Sequence, residues 1–105
     1  MAEKLPENFL RFKQAYPDIY EAFEELGRRL HETGPLSERE RRLVKLGIAI
    51  GLGTEGGVHS AVRFARSGGC SSEDISHAVR LAITTIGWPS ALAAMSWVED
   101  RPEDG

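Results

Sequence analysis

Leu43-Val44-Lys45-Leu46-Gly47-Ile48-Ala49-Ile50-Gly51-Leu52-Gly53-Thr54-Glu55-Gly56-Gly57-Val58-His59 is the stretch that decides the fold of this chain. Up to Leu52 it is apolar on every side, with Lys45 its only charge. A helix of that kind is buried in a core or at the centre of an oligomer. A short apolar run also fits a strand, so Leu46 to Ile50 leaves that alternative open. Gly53 stops the run and a second helix opens at Thr54. Glu55 and His59 are four residues apart, so they share one face of its first turns. A carboxylate and an imidazole thus meet where an apolar helix joins an amphipathic one.

Upstream, Ser37 followed by Glu40 is a capping box that starts the apolar helix, and its first turns are charged. Gly34-Pro35 ends the helix before it, in which Ile19, Tyr20, Phe23 and Leu26 recur at helical spacing. Asp18, with Glu21 three residues on, is the expected cap of that helix. A first helix over about Glu7 to Ala15 stops before Pro17. Downstream, Val58, Ala61, Val62 and Ala65 share one face of the fourth helix, and Gly68-Gly69 terminates it. Ser71 and Asp74 cap a fifth helix with an apolar stripe from Ile75 to Ile86. Gly87-Trp88-Pro89 breaks the chain before a sixth, where Pro89 suits the first turn. The expected class is all-α, with N-terminal helices over 1–35, a helical core over 36–98 and a polar tail over 99–105 in one domain.

The chain has 105 residues, enough for one core. A chain this short buries only about two thirds of its unfolded surface, which favours a homo-oligomer. Net charge is -3 and the pI is about 5.6, against a nucleic-acid partner. Arg39, Arg41, Arg42 and Lys45 cluster, but Glu38 and Glu40 interleave with them as on a solvated helix face. No run reaches the roughly 20 apolar residues of a membrane span. The first residues lack the apolar stretch of a signal peptide, so a cytoplasmic protein is expected. One cysteine, Cys70, allows no internal disulfide.

His59 and Glu55 are the first candidates for chemistry. Glu55 can orient the imidazole for proton transfer. The competing view is that Glu55 complements the helix dipole and His59 is its i+4 neighbour. Gly56 and Gly57 are costly in a first helical turn, which close approach of a ligand or helix would explain. Arg42 and Arg63 are candidate anchors for an anionic substrate. Cys70 precedes a helix N-terminus, where a thiol can be activated, or it is simply a small loop residue. His77 lies off the apolar stripe. With Glu55 and His59 it would supply three N/O ligands, but their sequence spacing does not join them, so neither a metal nor another cofactor is expected. Trp88 and Trp97 are expected in the core or at a protomer contact, and His31 near a helix C-terminus as a dipole partner.

Three landmarks recur in order: the charged-then-apolar helix, Gly69-Cys70-Ser71-Ser72-Glu73-Asp74-Ile75, and Gly87-Trp88-Pro89-Ser90-Ala91. Together they resemble the carboxymuconolactone decarboxylase family, which includes alkyl hydroperoxidase D-like proteins, over roughly 36–98. The resemblance implies an all-helical fold assembled as trimers or hexamers with sites near protomer contacts. Its peroxidase members use a Cys-x-x-Cys pair, a histidine and a glutamate. Aligned on Gly69, the cysteine positions fall on Thr54 and Gly57, the histidine on Ala61 and the glutamate on Arg42. A dithiol cycle therefore has no residues here. The decarboxylase branch also lacks the cysteine pair. The resemblance thus leaves three functions: acid-base chemistry on a small carboxylated metabolite through His59, a non-catalytic oligomeric binding module, or single-thiol redox chemistry at Cys70.

Overall fold

The structure, a computed structural model, describes residues 7–99. The polar tail beyond Glu99 lies outside the described residues. Those residues form six helices and no strand, which excludes a strand over Leu46 to Ile50. The chain divides after Pro35 into two compact units.

The first unit is a helical hairpin of α1 (Glu7–Ala15) and α2 (Pro17–Glu32). Asp18 does not cap α2. Tyr16 occupies the cap position without a side-chain cap bond, and Pro17 opens the helix. Proline has its φ preset there, and its missing N–H is one that would have no helical partner anyway. Aromatic rings join the two helices: Phe9 meets Tyr20 edge-on at 5.3 Å, and Lys13 Nζ lies 5.0 Å from the Tyr20 ring centre. Neither helix fully buries any residue.

The second unit holds α3 (Glu38–Leu52), α4 (Glu55–Ser67), α5 (Ser72–Ile86) and α6 (Trp88–Glu99). α3 packs on α4 and α5, and α6 packs on the same two, so the four close a ring in the order α3, α4, α6, α5. The core is Leu46 and Ile50 of α3, Val58, Val62 and Ala65 of α4, Ile75 and Val79 of α5, and Ala94 and Val98 of α6. Each large side chain buried this way stabilises the fold by about 1.5–3 kcal/mol before chain entropy is counted.

Both expected capping boxes form. Ser37 Oγ accepts from the Glu40 N–H at 3.1 Å while Glu40 Oε1 accepts from the Ser37 N–H at 2.8 Å. Ser71 Oγ and Asp74 do the same at 3.0 and 2.8 Å. Gly53 ends α3 in the left-handed region, φ 76°, where an L side chain would be strained. Its N–H donates to Ala49 O and Ile50 O, which satisfies the helix end and lets α4 start two residues on.

Only one side of α3 is buried. Leu46 and Ile50 are closed off, whereas Val44, Ile48 and Leu52 are 49, 58 and 73% exposed. The expectation of a helix covered all round therefore holds for half of it within a single chain. Trp88 is exposed, while Trp97 packs against the core.

Candidate functional site

The first turn of α4 places Glu55 and His59 on one face, with Arg63 one turn further on. His59 Nε2 lies 3.8 Å from Glu55 Oε2. That is too long for a hydrogen bond but close enough for attraction once the imidazole is protonated. The His59 side chain is 22% exposed and that of Glu55 55%. The Nε2 atom of His59 and the Nε atom of Arg63 are both out of contact with water. The imidazole is thus sheltered while its acidic neighbour reaches solvent.

Arg42 lies on α3. Its Nε donates to Glu38 Oε2 at 3.0 Å, and its guanidinium lies 5.1 Å from the Phe64 ring centre on α4. Hydrogen bonds from Arg41 and Arg42 hold the Glu38 carboxyl below the usual carboxylate range. Arg42 crosses the end of α4 closely, because a Cβ on Gly68 would fall 2.7 Å from its Cγ. Binding an anion at Arg42 would therefore compete with Glu38.

Thr54 and Gly57 are neighbours in space. A Cβ built on Gly57 lies 2.6 Å from Thr54 Oγ1 and 4.0 Å from Thr54 Cβ. The close approach that explains Gly57 is thus made by the Thr54 side chain. Gly56 has open space around it. Ala61 packs against the core.

Cys70 sits where the thiolate is disfavoured. It is 6% exposed, and its Sγ lies 3.6 Å from the Arg39 carbonyl. Burial first, then the Asp74 charge, pushes its pKa up, outweighing Arg39 and Arg42. Its place ahead of a helix suggested the opposite, but desolvation disfavours the thiolate. Both effects weigh against the single-thiol reading.

A groove of about 420 Å³ lies between α3 and α5. Gly47, Gly51, Ala78 and Ala82 are among the small residues lining it, with Val44 and Leu81 among the larger ones. His77 and Asp74 also line it, whereas His59, Glu55, Arg42 and Arg63 do not. Gly47 and Gly51, one turn apart on α3, leave the groove open on the side where His77 of α5 lines it. Among the described residues, no three His, Cys, Asp or Glu side chains converge as a metal site. Asp74 serves a structural purpose instead. It accepts from Arg39 Nη2 at 2.7 Å and Nε at 3.1 Å while capping α5.

The described residues are helical around a small-residue groove, and a single cysteine leaves the chain without a Cys pair. The chain belongs to the carboxymuconolactone decarboxylase family, whose model matches residues 17–100. No curated relative matches it. Among the described residues, no helix is long and apolar enough to cross a membrane.

Proposed function

We propose that this protein catalyses acid-base chemistry, decarboxylation of a small carboxylated lactone or related acid, through His59 and without a dithiol cycle. The supporting observation is the sheltered imidazole with its buried Nε2, set 3.8 Å from a carboxylate. In such a reaction the bond from the ring carbon to the carboxylate breaks and carbon dioxide leaves. The electron pair passes into the conjugated carbonyl of the substrate. The His59 imidazolium then delivers its proton to the carbon, and water restores it. Glu55 steadies the cation, and Arg63 and Arg42 attract the substrate's carboxylate. The protein works in the cytoplasm as a trimer or hexamer.

Carbon dioxide release from a panel of carboxylated lactones tests this reading. His59→Ala should lower the rate by about 10²–10⁴-fold, the usual contribution of a positioned acid or base. Assembly should be unchanged. A His59→Ala variant as fast as wild type would overturn the assignment.

The exposed apolar residues Val44, Ile48, Leu52 and Leu81 favour a second reading, a non-catalytic homo-oligomeric module. Wild type that releases no carbon dioxide from any lactone yet assembles would support it.

A further inference from the structure

We draw no further inference here: the strongest candidate, the groove between α3 and α5 with His77 on its lining, is apolar along its walls, its Asp74 carboxylate is already held by Arg39 and the Ser71 N–H, and nothing in the structure shows what covers it.

Discussion

At the scale of single residues, the informative pair is Thr54 and Gly57. The backbone holds these two positions in contact. A Cβ–Cβ separation of 4.0 Å lies inside the roughly 3.5–4.5 Å range of disulfides. Thr54→Cys/Gly57→Cys should therefore close an internal disulfide on mild oxidation. Intact mass should fall by about 2 Da while Cys70 stays reduced; persistence of both new thiols would contradict this proximity. The Glu55 and His59 juxtaposition was legible from i+4 spacing alone, because helix geometry fixes it. The burial of Nε2 was not, since shelter depends on what packs over a side chain. Cys70 misled for a related reason. Position before a helix is local information, whereas desolvation of the thiol comes from the core behind it.

At the scale of elements, Asp74 does two jobs. It completes the α5 capping box, and it binds Arg39 near the start of α3. Arg39 first, then the Ser71 backbone N–H, lowers its pKa from 3.8 to about 2. A carboxylate with a depressed folded-state pKa contributes stability above its unfolded pKa, and that contribution is lost as pH falls through the folded value. Wild type should therefore weaken between about pH 4 and pH 2 more steeply than Asp74→Asn. Urea midpoints across that range give the comparison, and parallel pH profiles would refute it. Glu25, Glu38 and Glu40 are also depressed, so both proteins decline and the difference carries the signal. The Ser-x-x-acid pattern revealed both boxes in advance because each is a local contact. Asp18 matched the same pattern, but Pro17 started the helix earlier. The Arg39 partner was hidden, being 35 residues away from Asp74 in sequence.

At the scale of the whole molecule, the second unit closes its ring around a small core and leaves apolar surface outside. The helical class was legible throughout, since long periodic segments specify it. Sequence could not say which side of α3 faces its own chain, because both sides are apolar. If the exposed side is an assembly surface, Ile48→Lys/Leu81→Lys should lower the sedimentation mass. Both residues are more than half exposed, so stability should change by no more than about 0.5 kcal/mol. An unchanged mass would rule that surface out as the contact. The single thiol of the chain lies behind these helices, against the Arg39 backbone. An alkylating reagent reaches it only when that junction parts, so the protein carries an intrinsic clock for its own breathing.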